Sequence, residues 1–128
     1  MATLATPIRS REKLESPAVV KVVRNSHGQA LYFSRSVIPH PREWREELLV
    51  AEPPHFLQHI GLYAYRRDFL MRLATMPPSP LELLEKLEQL RVLEAGHQIG
   101  VGLVDEPTRG IDTPSDYAEF VDRCKLQS

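Results

Sequence analysis

Proline is what most limits the shapes open to this chain. Of 128 residues 11 are proline, about 8.6%, against an average near 5%. Each fixes φ, lacks an amide donor and stops a helix or central strand that runs into it. The expectation is therefore many enforced stops with short elements between them. Enough apolar material remains to fold: hydrophobic residues make up 42%, and a chain this long buries roughly two-thirds of its unfolded surface. The length suits one domain.

Between the stops the patterns are readable. Residues 1–17 are mixed and polar and end at Pro17, which reads as a short strand or connector rather than a helix. Ala18-Val-Val-Lys-Val-Val23 has the β-branched composition of a strand. Asn25-Ser-His-Gly28 is a turn set, and Ala30-Leu-Tyr-Phe33 reads as the returning strand of a hairpin. Prolines at 39, 41, 53 and 54, interleaved with charges and Trp44, make residues 38–54 a long excursion, of the kind that forms functional or interface loops.

From His59 to Arg66 the chain alternates strictly. Ile60, Leu62 and Ala64 point one way and are expected in the core; His59, Gly61, Tyr63 and Tyr65 point the other, as a ligand-facing strand would. A helix carrying Phe69, Leu70, Leu73 and Met76 should follow, stopped by Pro77-Pro78. Ser79-Pro80-Leu81-Glu82 is a helix start with Ser as N-cap, proline at the first position and Glu three residues on. That helix is expected to run to about Ala95, with Gly96 as its stop. Gln98–Val104 reads as a strand. Thr113-Pro114 then opens a last helix with an apolar stripe at Tyr117, Phe120, Val121 and Cys124. Strand and helix patterns in this order predict a mixed sheet flanked by helices, an α/β or α+β layer fold.

Composition excludes several functions. Lys and Arg number 16 against 17 Asp and Glu, a net charge of −1, which argues against a nucleic-acid binder. No apolar run reaches the ~20 residues needed to span a bilayer. The opening stretch lacks the basic-then-apolar order of a secretory signal. A single cysteine, Cys124, forbids an internal disulfide and fits a reducing, cytoplasmic setting; its place on the apolar stripe suggests a packing role. No glycine-rich phosphate loop, zinc spacing or nucleophile elbow is present.

Four places break the expected patterns. In the helix beginning at Pro80, Leu83, Leu84, Leu87 and Leu90 define an apolar arc that also takes in Glu88 and Arg91. These two form either a structural (i, i+3) ion pair or a polar wall for a hydroxylated ligand. Gln89 projects toward Glu82, Glu85 and Lys86, so periodicity alone leaves it solvated. His59 and Tyr63 share a strand face and, four residues apart at ~3.3 Å each, should stand about 13 Å from one another. They would line an elongated ligand or lie beneath a helix. Arg35, just beyond a strand, could clamp a carboxylate or be a solvated strand end. Asp112 precedes a helix start that Thr113 can already cap; it is a dipole partner or a magnesium ligand.

These residues carry a resemblance. MATLATPI (1–8), VVKVV (19–23), ALYFSRSVIP (30–39), FLQHIGLYAYRRDFL (56–70), PSPLELLEKLEQLRVLEAG (78–96) and GIDTPSDY (110–117) resemble, in order, the C-terminal half of the 3-deoxy-manno-octulosonate (KDO) cytidylyltransferase family. YFSR-x-x-IP, H-x-G-x-Y-x-Y, LEQLR and G-x-DTP are specific in combination. The resemblance implies the C-terminal portion of a nucleotide-diphospho-sugar transferase-like mixed sheet flanked by helices. It implies an enzyme that joins CTP and KDO with Mg2+, giving CMP-KDO for lipopolysaccharide synthesis. It implies KDO-binding roles for Arg35, His59, Tyr63, Glu88 and Gln89, and a magnesium-binding role for Asp112. It further implies that Met1 matches an internal methionine. The family's CTP-binding turn and first magnesium aspartate would then belong to an N-terminal half, and the isolated chain would be inactive. Homodimerisation, with the 38–54 excursion as contact surface, or pairing with such a half is expected. The other readings are a non-catalytic binding or assembly module, and a half-enzyme for a related sugar acid.

Overall fold

The computed structural model describes residues 1–105, 111 and 113–126. Strand β1 (Ala2–Pro7) bears out the strand expected there, but it leads into a short helix, α1 (Arg11–Glu15), where residues 1–17 were expected to hold none. Its cap is local: the Ser10 side chain accepts the Lys13 N–H, satisfying one of the orphan donors of the first turn. The predicted hairpin follows as β2 (Lys21–Arg24) and β3 (Ala30–Ser34), paired antiparallel. Its turn is set by Asn25, whose side-chain oxygen accepts the N–H groups of His27 and Gln29. Gly28 completes the turn at φ 75°, a conformation that costs glycine little.

The excursion contains a 3-10 turn at Glu46–Leu49, after which β4 (Leu57–Ala64) and α2 (Arg67–Thr75) form. The Ser79 capping box is complete: the Ser79 side chain accepts the Glu82 N–H while the Glu82 carboxylate accepts that of Ser79. The helix it starts does not run to Ala95. It ends as α3 (Pro80–Glu85), and a second helix, α4 (Gln89–Glu94), takes over. Between them Lys86 is left-handed, at φ 56° and ψ 46°, its N–H bonded to the Glu82 carbonyl. Lys86 thus occupies the position usually taken by a C-terminal glycine. Strand β5 (Gly100–Leu103) and helix α5 (Pro114–Leu126) complete the chain.

The sheet runs β3-β2-β4-β1-β5. β1 is antiparallel to β4 and parallel to β5, so the sheet is mixed, as predicted. Its core gathers Ala5, Val22, Phe33, Leu57 and Val101 from the strands with Leu87, Leu90 and Val92 from the break and α4. A second cluster of Ile8, Leu14, Leu49 and Phe56 lies under α1 and the excursion, with Trp44 half-buried against it. Lys21 is fully buried in β2. Its ammonium donates to the carbonyls of Ser16, Val19 and Arg35, which satisfies all three of its donors, and burial lowers its pKa.

Two apolar arcs are not where periodicity put them. Leu83 and Leu84 are exposed, the latter 80%, because the turn at Lys86 ends the α3 surface before it can share a face with Leu87 and Leu90. On α5 the stripe predicted to pack is open: Tyr117, Phe120 and Cys124 are exposed. Thr113 does cap that helix, accepting the Asp116 N–H on its hydroxyl.

Candidate functional site

The site is built on an irregularity in β4. Along β1, Ala2 and Thr3 pair with Ala64 and Tyr63, but the next residues, Leu4 and Ala5, pair with Ile60 and His59. Gly61 and Leu62 have no opposite number and form a bulge. Glycine inside a strand is a known mark of such a bulge, and this was the signal available in the sequence.

The bulge overturns the 13 Å separation. His59 and Tyr63 rings lie 5.4 Å apart, centroid to centroid, and Tyr63 is 5.8 Å from Tyr65. Apart from Ile60, the covered side is also not the one expected from alternation. Ala5, partner of His59, is wholly buried in the main core, and the His59 ring meets Phe33 edge-on at 5.0 Å. The side carrying His59 and Tyr63 is the one that helices cover. Ile60 is buried, but Leu62 is 53% exposed and Ala64 is exposed. Ala2, Leu4, Leu62 and Ala64 line an open, mainly apolar cavity of about 270 Å³.

Thr3, which sequence reasoning missed, holds the bulge. Its hydroxyl lies 2.7 Å from the Leu62 carbonyl, 3.1 Å from that of Ile60 and 2.9 Å from His59 Nε2. Burial lowers the His59 pKa to about 4, so the imidazole is neutral at physiological pH. Burial, followed by the charges of Tyr65 and Glu88, pushes the Tyr63 phenol well up.

Across from β4, the break at Lys86 sets the second wall. It turns Gln89 inward, where it is only 6% exposed; a continuous helix would have left Gln89 in solvent. Glu88 remains exposed at the mouth. Tyr63, Tyr65, Glu88 and Gln89 surround a small cavity of about 40 Å³ with Met1, Leu73 and Val92. The Glu88–Arg91 ion pair considered from the sequence is not among the ion pairs found. Arg91 instead forms a two-pronged pair with Glu82, both contacts 2.7 Å, and also donates to the Met76 carbonyl. That pair ties the start of α3 to α4 across the break and leaves Glu88 without it.

Arg35 stands at the back of the same break. Its guanidinium donates to the carbonyls of Glu85 at 2.8 Å, Pro17 at 3.1 Å and Lys86 at 3.4 Å, satisfying orphan acceptors at the end of α3. Glu85 returns the link, accepting from the Ser34 hydroxyl at 2.7 Å and the Arg35 N–H at 2.8 Å. Thus His59, Tyr63, Glu88 and Gln89 are brought to one region, while Arg35 braces the turn behind it. Asp112 lies outside the described residues. Among the described residues no three His, Cys, Asp or Glu side chains converge as metal ligands, and no helix is long and apolar enough to cross a membrane.

A family model described as cytidylyltransferase matches residues 1–99. A 3-deoxy-manno-octulosonate cytidylyltransferase of Rhodopirellula baltica is 50% identical over 128 residues, covering 99% of this chain and 51% of that protein. One from Xanthomonas campestris pv. campestris (strain 8004) is 56% identical over 119 residues, covering 91% and 48%. Among solved structures, that of CMP:2-keto-3-deoxy-manno-octonic acid synthetase complexed with CTP superposes with a TM-score of 0.83 at 40% identity. It covers 99% of this chain and 49% of that one. The chain spans about half the length of the curated relatives it matches.

Proposed function

The chain belongs to the cytidylyltransferase family, and from that premise we propose that it supplies the sugar-acid half of an enzyme transferring CMP from CTP to KDO. In this reaction the anomeric hydroxyl of the sugar attacks the α-phosphorus of CTP, an O–P bond forms and the bond to pyrophosphate breaks. The product, CMP-KDO, serves lipopolysaccharide synthesis. A cytoplasmic setting accords with the single thiol.

The observation that carries this reading is the convergence of Tyr63, Glu88 and Gln89 on one cavity beside His59. Sugar recognition needs acceptors and donors fixed around hydroxyls, and an acid, an amide and a phenol on two rigid elements provide both. At about 40 Å³ the enclosed space suits a water rather than an eight-carbon sugar acid. The sugar would therefore rest across the exposed mouth at Glu88, with a second protein surface as its other wall. For Arg35 to meet the sugar carboxylate, its guanidinium would have to leave the Glu85, Pro17 and Lys86 carbonyls that hold it behind the break. Magnesium, when bound at Asp112 and at an aspartate of the other half, would offset phosphate charge. The Ala2–Leu4–Leu62–Ala64 surface, exposed at Ala2, Leu62 and Ala64, accords with pairing to an N-terminal half or to a second copy, and the 38–54 excursion remains a candidate dimer contact.

The test is CMP-KDO formation from CTP, KDO and Mg2+ by these 128 residues alone, then mixed with a separately produced N-terminal half of a relative. The expected result is silence alone and turnover in the mixture, abolished by Asp112→Asn. Turnover by the chain alone would overturn the half-enzyme reading. Silence in both tubes from a folded chain would favour a non-catalytic module or a different sugar acid.

A further inference from the structure

The Thr3 hydroxyl has one proton and three polar neighbours. Two are carbonyl oxygens, of Leu62 at 2.7 Å and Ile60 at 3.1 Å; the third is His59 Nε2 at 2.9 Å. A hydroxyl oxygen 2.7 Å from a carbonyl oxygen needs a proton between them, because two bare acceptors at that distance repel. The Thr3 proton is therefore committed to the carbonyls. Its oxygen can face His59 only as an acceptor, so Nε2 must carry the hydrogen, and in the neutral ring Nδ1 is left as a bare acceptor.

We propose that Thr3 is a positioning residue for the sugar-acid site: its hydroxyl pins the Gly61–Leu62 bulge and fixes His59 in the Nε2–H tautomer, so that His59 offers an acceptor nitrogen. The proposal rests on the sugar-binding reading of His59 given above. The two jobs are done by one oxygen. The bulge brings Tyr63 to within 5.4 Å of the His59 ring, and the same hydroxyl that closes the bulge decides which nitrogen is available. A neutral acceptor at Nδ1 meets a sugar hydroxyl, which can donate, and rejects a carboxylate, which cannot. Thr3 itself, 3% exposed, acts through His59 rather than by touching ligand.

The test reads the ring nitrogens of His59 directly, by two-bond 1H–15N correlation in the full 128-residue chain. The unmutated protein should show the Nε2–H form; finding Nδ1–H overturns the proposal whatever the variants do. Thr3→Val keeps the shape and removes the oxygen. It should raise the Nδ1–H population and weaken KDO binding about tenfold, the worth of roughly one well-placed hydrogen bond. Thr3→Ser should restore both. An unchanged tautomer in folded Thr3→Val, or no rescue by serine, would sink the assignment. If the tautomer behaves as stated but KDO leaves the His59 resonances of the unmutated chain unmoved, the sugar reading fails and the positioning role of Thr3 stands.

Discussion

On one side of β4, His59 lies against Phe33 and Tyr63 lines a small cavity with Gln89 of α4, whereas on the other Leu62 and Ala64 stand open to solvent. Both sets alternate along the same eight residues. The difference teaches that alternation separates two faces without saying which one the helices will cover. Here the polar aromatic face is covered, because its buried partners Ala5, Leu57 and Phe33 belong to the main core. Of the aliphatic set only Ile60 is buried; Leu62 and Ala64 are left out.

The sharpest way to break this comparison is to delete side chains on each side. Leu90→Ala, under the covered face and 0% exposed, should cost about 3 kcal/mol in urea unfolding, the range for a fully buried leucine. Leu62→Ala should cost less than about 0.5 kcal/mol, as surface changes do. Equal losses would mean that the second face is covered in solution.

Next in size is pH. Burial holds His59 near 4, below its ordinary 6.5, so the unfolded chain takes up the proton first. Above 6.5 the group contributes nothing to the pH dependence, and stability falls as pH drops from about 6.5 toward 4. Glu82 acts in the same direction lower down: its hydrogen bonds to Arg91 hold its pKa below 4.5, and the stability they give is lost as pH falls through the folded value. Urea midpoints measured against pH should show roughly one proton taken up on unfolding near pH 5. His59→Gln should flatten the upper part of the curve and leave the lower part.

Smaller effects test the devices that set the two sides. Lys86→Gly should raise stability by up to about 1 kcal/mol, since left-handed backbone costs a side-chain-bearing residue about 1–2 kcal/mol and glycine's unfolded-state entropy returns part of it. A β-branched residue there should destabilise. Gly61→Ala should change stability by less than about 0.5 kcal/mol, because a Cβ at Gly61 meets nothing within 4 Å. A loss of KDO binding without a loss of stability would place ligand in that space.

How much of this was legible in the sequence follows from how local each cause is. The Ser79 capping box, the Asn25–Gly28 turn and the Thr113 cap each depend on residues within four positions, and all three formed. The break at Lys86 was not legible, since lysine has no preference for a left-handed turn. The carbonyls freed there are held by Arg35, fifty residues away. Beyond that break Gln89 is buried, where periodicity left it solvated and the resemblance gave it to the ligand. The carbonyls of the bulge between His59 and Tyr63 likewise meet Thr3, from another strand. Periodicity assigns directions within an element; which direction becomes an interior is decided by partners far along the chain.

The order of the strands has a consequence for how the chain comes into being. β1 lies inside the sheet, flanked by residues 57–64 on one side and 100–103 on the other. One neighbour follows it after about fifty residues and the other after nearly a hundred, so both pairings close long loops. Contacts of such separation make folding slow.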